Sequence, residues 1–456
     1  MAMIRIFRHY VPVALIVLSL IEIATLFGAY LLGEFLRLRI AGLQPDPLAS
    51  ARFDAVVYAI VTWVAMVSVG LYQSRTTLDL RETLLKLFVA LFLAVILLAV
   101  IGFVTGETLV WRSVLLVVTA EVLIVIPLIR WTFARIVDLD LLRRRIFLLG
   151  EGARAARARE LAERPDARFR IVGGCDCRQA RGEDQGSCLI EQVIESGASE
   201  IVVACEREQE VPIAQLLDCR LKGIAVQDIA AFIERETGRV DLDTLDPAYL
   251  VFSDGFVGGR FYERLAKRGF DVLLAGSVLI VSLPVMLLAA LAIRLTSPGP
   301  VFYRQERVGR GGRIFHLLKF RSMVVDAEPE GHPRWASADD PRITPVGRFL
   351  RMTRIDELPQ VINVLKSEMS FVGPRPERPF FVARLARDIP FYRERHAMKP
   401  GITGWAQINY PYGASIADSR RKLEYDLYYI KNYTLFLDIV IILQTLRVIL
   451  FADGAR

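Results

Sequence analysis

The sequence predicts a membrane protein in three parts: an α-helical four-span bundle, a Rossmann-like α/β domain, and a C-terminal part that opens with a bent, re-entrant apolar helix. Three observations predict this. Four apolar runs of near-spanning length fill the first third of the chain, strand and helix patterns then alternate, and a fifth apolar run is interrupted by Ser282-Leu283-Pro284. With 456 residues the chain is too long for one ordinary domain. Its 53% hydrophobic and 23% charged residues suit membrane segments joined to sizeable soluble parts.

The four runs are roughly Val11–Leu32, Ala55–Leu71, Leu84–Phe103 and Val110–Trp131, which assigns residues 1–137 to the bundle. Each approaches the ~20 apolar residues that cross the hydrocarbon core as a helix. The first is too long for a secretory signal and lacks a small-residue cleavage site. Arg5 and Arg8 precede the first run, Arg75, Arg81 and Lys86 flank the start of the third, and Arg135 and Arg143–Arg145 follow the fourth. Against the trend, Arg37, Arg39 and Arg52 lie in the first loop. The positive-inside rule places the N-terminus and everything after Trp131 in the cytosol.

From residue 143 to 253 the pattern changes. Arg145–Leu149, Phe169–Val172 and Glu200–Ala204 read as strands, with a helical run after Gly150-Glu151-Gly152 and another over Leu189–Glu195. This βαβ order predicts a small Rossmann-like sheet. The glycines form G-x-G-x-x-A, with Asp176 near the place of a ribose-binding acid, but close helix–strand packing alone explains both glycines. A structural or regulatory domain is the favoured reading. All five cysteines (Cys175, Cys177, Cys188, Cys205, Cys219) fall here, without C-x-x-C spacing or a nearby histidine, so reduced thiols are expected rather than zinc or disulfides.

The fifth run, Val272–Ile293, is flanked by Lys267 and Arg268 on one side and Arg294 on the other. Proline removes a backbone donor and clashes with the preceding turn, so a bend is expected near Ser282 and Pro284. A re-entrant helix over 271–294 with both ends cytosolic satisfies the charges and the proline together. The tail Leu423–Phe451 mixes apolar clusters with tyrosines and with Asp438 and Gln444, which favours an interfacial amphipathic helix over a final span.

Between these lie the polar motifs. Lys319-Phe320-Arg321-Ser322-Met323, Asp340-Pro341-Arg342-Ile343-Thr344, Ile355-Asp356-Glu357-Leu358-Pro359-Gln360, Gly373-Pro374-Arg375-Pro376 and Pro400–Gln407 follow in order. Pro359 fits a first helical turn, which puts Asp356 and Glu357 at a helix start where the dipole favours ionised carboxylates. An isolated acidic pair there is an ordinary cap. Here Lys319, Arg321, Arg351 and Arg375 accompany it, and such cations suit phosphate oxygens, although some would equally rest on anionic headgroups. The net charge of +7 could serve nucleic acid, anionic lipid or phosphorylated substrates. The apolar segments favour the last two, and no nucleic-acid partner is expected.

The run from Lys267 to the C-terminus resembles the monotopic phosphoglycosyl transferases, or bacterial sugar transferases, through the motifs just quoted. The bundle and degenerate nucleotide-type domain resemble the large members that initiate exopolysaccharide or O-antigen synthesis. Gln407–Ala414 is most similar to members associated with PEP-CTERM/exosortase clusters. The resemblance implies a monotopic α+β catalytic domain over 262–456, a bacterial inner-membrane location and a homodimer. It implies that Asp356 is the nucleophile attacking a UDP-sugar, expelling UMP and passing the sugar phosphate to polyprenyl (undecaprenyl) phosphate. Glu357 would bind Mg²⁺, and Lys319, Arg321, Arg351, Arg375 and Gln407 would contact substrate. Two departures stand out: Leu283 separates Ser282 from Pro284, and Tyr410 and Pro411 follow Asn409 where many small members carry Asn-Gly-Arg. Exchange of Tyr410–Tyr412 is expected to alter donor choice. A membrane-anchored nucleotide-sugar dehydratase or epimerase is disfavoured because none of the fourteen tyrosines is followed by lysine four positions on. A non-catalytic scaffold is disfavoured by the intact acid pair and cations.

Overall fold

The structure, a computed structural model, describes residues 3–6, 9–40, 49–72, 80–106, 112–136, 143–164, 167–177, 180, 186–245, 247–253, 255–256, 261–325, 340–411, 413 and 415–451. Tyr412 of the loop Tyr410–Tyr412, expected to set donor choice, lies outside these, as does Ala414 of the segment Gln407–Ala414. The chain forms two compact units, with the main division between Glu236 and Thr237.

In the first unit the four apolar runs are helices Val13–Ile40, Ala49–Ser68, Leu80–Thr105 and Arg112–Ile136. Three of them are long and apolar enough to cross a membrane by length and composition. Their interior holds one buried charge pair. Arg130 Nε and Nη2 donate to the two Glu22 carboxylate oxygens at 2.7 and 3.0 Å, Nη1 donates to Leu71 O at 2.6 Å, and Tyr72 O–H donates to Glu22 at 2.5 Å. Every polar atom of that carboxylate is thereby paired, as a low-dielectric interior requires.

The following α/β domain is a parallel four-stranded sheet in the order Phe169–Cys175, Arg144–Leu149, Glu200–Val203, Ala225–Asp228. Ile146, Leu148, Phe169, Val202 and Phe232 form the core on one side, and Phe147, Leu149, Val193 and Ile201 on the other. At the start of helix Ala153–Ala162, the Arg154 N–H donates to Glu206 Oε1 at 3.1 Å. A carboxylate of the chain itself therefore satisfies this helix-start N–H. The thiols correct the sequence expectation: Cys177 and Cys205 form a disulfide, with Cα atoms 6.0 Å apart. They follow the two strands that flank Arg144–Leu149, a proximity made by sheet order that cysteine spacing does not encode. Cys175 and Cys219 lie outside that disulfide.

In the second unit the fifth apolar run is one α-helix, Phe261–Thr296, with Pro284 inside it. The interruption expected at Ser282 and Pro284 does not end the helix. Proline bends a helix at the cost of one hydrogen bond without necessarily terminating it. Both ends dock on the same unit. Asp271 accepts from Ser370 Oγ at 3.0 Å and Phe371 N at 2.9 Å, and Arg268 donates to the Val364 and Leu365 carbonyls. At the other end Met286, Ala289 and Ile293 pack with Phe320 and Leu350.

Two antiparallel strands, Phe302–Val308 and Ile314–Phe320, and a short parallel pair, Ser370–Val372 with Gly401–Thr403, frame the rest. The tail also differs from expectation. It forms two helices, Ile416–Lys431 and Leu435–Phe451, whose Leu427, Tyr428, Tyr429, Leu437 and Ile441 are core residues. Asp438 faces inward, accepting from Lys267 Nζ and Tyr429 O–H, both at 2.7 Å. Polar residues that look interfacial in the sequence are here paired inside the fold, a long-range pairing that local periodicity does not reveal.

Candidate active site

Lys319 closes the strand Ile314–Phe320, opposite Tyr303. The acid pair arrives from the helix Pro345–Met352, which Thr344 caps by accepting from Gly347 N at 2.9 Å. Arg354, in the left-handed region at φ 59°, then turns the chain into the 3-10 segment Ile355–Glu357. Asp356 and Glu357 therefore sit in their own tight turn. The α-helix begins only at Gln360, with Pro359 as its N-cap, so the pair is not in the helix's first turn as its sequence implied.

Glu357 Oε1 accepts from Lys319 Nζ at 2.9 Å and from Arg375 Nη2 at 3.1 Å. Burial raises the Glu357 pKa, but Lys319 and Arg375 outweigh it and hold this carboxyl well below the usual carboxylate range. Asp356 behaves oppositely. Burial pushes it up to about 6, with Lys319 the main opposing charge and Glu357 adding repulsion. Its carboxylate makes no hydrogen bond or ion pair among the described residues. Two adjacent acids thus have separate environments, one fixed by cations and the other buried and unengaged.

Both acids line a cavity of about 1140 Å³ with Lys319, Arg348, Arg351, Arg354, Arg375, Gln407, Tyr410 and Lys422. Arg348, Arg351 and Arg354 form no ion pair among the described residues, so the cavity carries cationic charge available to anions. Gln407 Nε2 likewise has no hydrogen-bond acceptor there. Arg321 also lines the cavity, but its side chain is engaged elsewhere. Its guanidinium donates to Ser297 O, Ser297 Oγ and Pro298 O at 2.6–2.9 Å, tying down the chain after the long helix.

Several positioning residues had no sequence signal. Asn363 Oδ1 accepts from Leu318 N at 3.0 Å, while its Nδ2 donates to His316 O at 2.8 Å and Glu368 Oε2 at 2.6 Å. This pins the helix after Glu357 to the strand bearing Lys319. Arg395 donates to Arg375 O, Asp426 Oδ2 and the Tyr392 hydroxyl at 2.7–2.9 Å. Gly373 and Gly401 meet so closely that a Cβ on Gly401 would lie 2.1 Å from Gly373 N, which lets the Arg375 and Gln407 segments touch backbone to backbone.

Glu357 Oε2 and both Asp356 oxygens have no hydrogen-bond donor among the described residues, and both residues line the cavity. One or two carboxylates beside substrate phosphates is the donor set that suits Mg²⁺. In a second acidic group, the carboxylate oxygens of Asp241, Asp243 and Glu424 lie within 4.8 Å of one another, but Arg239 and Arg421 pair with Glu424 and Arg420 with Asp243. That group is neutralised by its own arginines.

Residues 262–452 match the model of the bacterial sugar transferase family, and residues 67–210 match a CoA-binding domain family. The chain is 46% identical over 241 residues to a UDP-N-acetylgalactosamine-undecaprenyl-phosphate N-acetylgalactosaminephosphotransferase of Aeromonas hydrophila, covering 53% of this chain and 56% of that protein. It is 33% identical over 326 residues to an undecaprenyl-phosphate glucose phosphotransferase of Komagataeibacter xylinus, covering 69% and 60%. Those two matches therefore span somewhat more than half of each relative's length. It is also 42% identical over 198 residues to a UDP-glucose:undecaprenyl-phosphate glucose-1-phosphate transferase of Caulobacter vibrioides, covering 43% of this chain and 74% of that protein. With its motifs gathered around one cationic cavity and this similarity across the matched region, the chain belongs to the bacterial sugar transferase family.

Proposed function

We propose that the chain transfers a sugar 1-phosphate from a UDP-sugar to undecaprenyl phosphate, releasing UMP through a covalent intermediate on Asp356. The observation that carries this reading is the division of labour in the acid pair. Glu357 is locked by Lys319 and Arg375, while Asp356 is buried, its carboxylate has no hydrogen-bond partner among the described residues, and it lines the cationic cavity. In the first step an Asp356 oxygen forms a bond to the sugar-bearing phosphorus, and the bond to the bridging oxygen breaks as UMP leaves. In the second, an oxygen of the lipid phosphate bonds to the same phosphorus and the acyl-phosphate bond breaks, restoring the carboxylate. Lys319, Arg351 and Arg375 stabilise charge on the phosphoryl oxygens. Glu357, with Asp356 beside it, would hold Mg²⁺, which when bound neutralises the donor diphosphate. The acceptor is already ionised near neutral pH, so no side-chain base is needed.

The helix Phe261–Thr296 is re-entrant in this reading. Support comes from its two ends, Asp271 and Ile293, which both contact one unit, as in a helix whose ends lie on the same side of the bilayer. Leu273, Ile280, Val281, Leu287 and Leu291 are exposed and would face lipid. The site then opens at the cytosolic face of the bacterial inner membrane, where UDP-sugars are found, and the protein acts as a homodimer. Tyr410 and Pro411 line the cavity, consistent with a part for that loop in donor choice. The test is UMP release from a panel of UDP-sugars by the full chain with undecaprenyl phosphate and Mg²⁺. Release that depends on both lipid phosphate and Asp356 is expected; release that survives Asp356→Asn, or release unaffected by omitting the lipid phosphate over many turnovers, would overturn the reading.

A further inference from the structure

The matched sugar-transferase segment begins at residue 262. The chain before it nevertheless contributes to the same unit from Thr237 onward. Gly238 O accepts the Trp405 indole N–H at 2.7 Å. Val240 and Leu242 are buried in one core with Trp405, Leu423 and Tyr428. Val240 N donates to Glu424 O at 3.0 Å, and Arg239 Nη1 pairs with Glu424 at 3.2 Å, both side chains being almost fully buried. Arg420 pairs with Asp243 at the end of the segment.

Trp405 is where this matters. Its ring stacks on Tyr428 at 5.7 Å and starts the five-residue helix Trp405–Asn409, which also carries Gln407. Gln407 lines the cavity with an Nε2 that lacks an acceptor among the described residues, a donor suited to a polar group of what binds there. A helix this short has little stability of its own and takes its orientation from what holds its ends. The C-terminal side is braced by Arg447, which donates to Ile408 O at 3.0 Å. The N-terminal side is held through the indole, by residues outside the matched segment.

We propose that residues 238–243 form a positioning strap for the donor side of the site: by holding the Trp405 indole they fix the short helix that presents Gln407 to the cavity. This rests on the transferase reading and deepens it. Gly238 is the sensitive point. It has φ +65°, so alanine strains the turn, and its Cβ would sit in contact with the indole, 3.4 Å from Trp405 Cζ2.

The test uses the full chain in detergent or nanodiscs, with UDP-N-acetylgalactosamine, UDP-glucose and undecaprenyl phosphate as probes. Gly238→Ala and Trp405→Phe should each raise the donor KM about fivefold, the worth of one neutral hydrogen bond. The KM for lipid phosphate and kcat should stay within about twofold, because the strap does not reach the acid pair. In 5-fluorotryptophan-labelled protein, the Trp405 signal, assigned by its loss in Trp405→Phe, should move in Gly238→Ala. An unmoved donor KM in Trp405→Phe overturns the proposal, as does a parallel rise of both KM values with a lowered melting temperature, which marks a purely structural role. If Gly238→Ala fails to fold, Trp405→Phe decides alone: it removes the indole N–H together with part of the ring, and an unmoved donor KM, or a parallel rise of both KM values with a lowered melting temperature, overturns the proposal. Asp356→Asn is assayed alongside: full activity there defeats the transferase reading, whereas an inactive Asp356→Asn with an unmoved donor KM in the strap variants defeats only the strap.

Discussion

Replacing Lys319 with methionine separates the electrostatic role of this residue from its bulk. Lys319 Nζ lies 2.9 Å from Glu357 Oε1, and Arg375 remains on the same oxygen at 3.1 Å after the substitution. A hydrogen bond to a charged group is worth about 1.5–3 kcal/mol. The Lys319 and Glu357 side chains are 21% and 13% exposed, and Arg375 stays, so the lower end applies. About 1.5 kcal/mol corresponds to roughly a tenfold loss in kcat/KM near neutral pH. A second effect has a sign. Asp356 is pushed up to about 6 by burial, and Lys319 is the strongest charge pulling it back. Attack requires the carboxylate, so activity falls as pH drops through this value, and removing Lys319 must move the acid limb upward. Lys319→Met should therefore lose more activity at about pH 6 than at about pH 8. Steady-state UMP release across that range provides the assay. An acid limb that stays in place, or equal losses at both ends, would refute the electrostatic role.

Two further outcomes follow from the packing. Asp271→Ala removes the acceptor of Ser370 Oγ and Phe371 N, leaving a buried backbone donor unpaired at a cost of about 1–3 kcal/mol; the melting temperature should fall, and kcat with it, because this strand leads directly to Arg375. Arg130→Met strands the fully buried Glu22 carboxylate and should destabilise the bundle by about 3–5 kcal/mol, while Glu22→Gln/Arg130→Met recovers most of the loss, as read by thermal unfolding in detergent.

Much of the architecture was legible because it is written in local patterns. Apolar runs of spanning length, and strands such as Arg144–Leu149 and Glu200–Val203 followed by amphipathic helices, report themselves within a window of a few residues. Lys319, Glu357 and Arg375 could be brought together on paper only through a resemblance; the structure shows the convergence as two hydrogen bonds to one oxygen. What escaped the sequence is non-local and polar. Asn363 joins residues about 45 positions away, Asp271 about a hundred, and a single polar side chain at such separation leaves no periodicity. Arg321 resembles its neighbour Lys319 in sequence but turns to the carbonyls of Ser297 and Pro298. Asp438 and Tyr429 look interfacial until the ion pair with Lys267 places them inside. Cys177 and Cys205 are brought together by the order of strands in a sheet, which spacing along the chain does not express.

The central claim is that Asp356 becomes covalently bonded to the sugar phosphate, and intact-protein mass measurement tests it most directly. Full-length protein mixed with UDP-sugar and Mg²⁺ in the absence of lipid phosphate should gain the mass of one phospho-sugar, mapped by peptide analysis to Asp356, and lose it when undecaprenyl phosphate is added. Asp356→Asn should gain nothing and release no UMP. Undiminished turnover by Asp356→Asn, or an adduct mapped to any other residue, would contradict the mechanism.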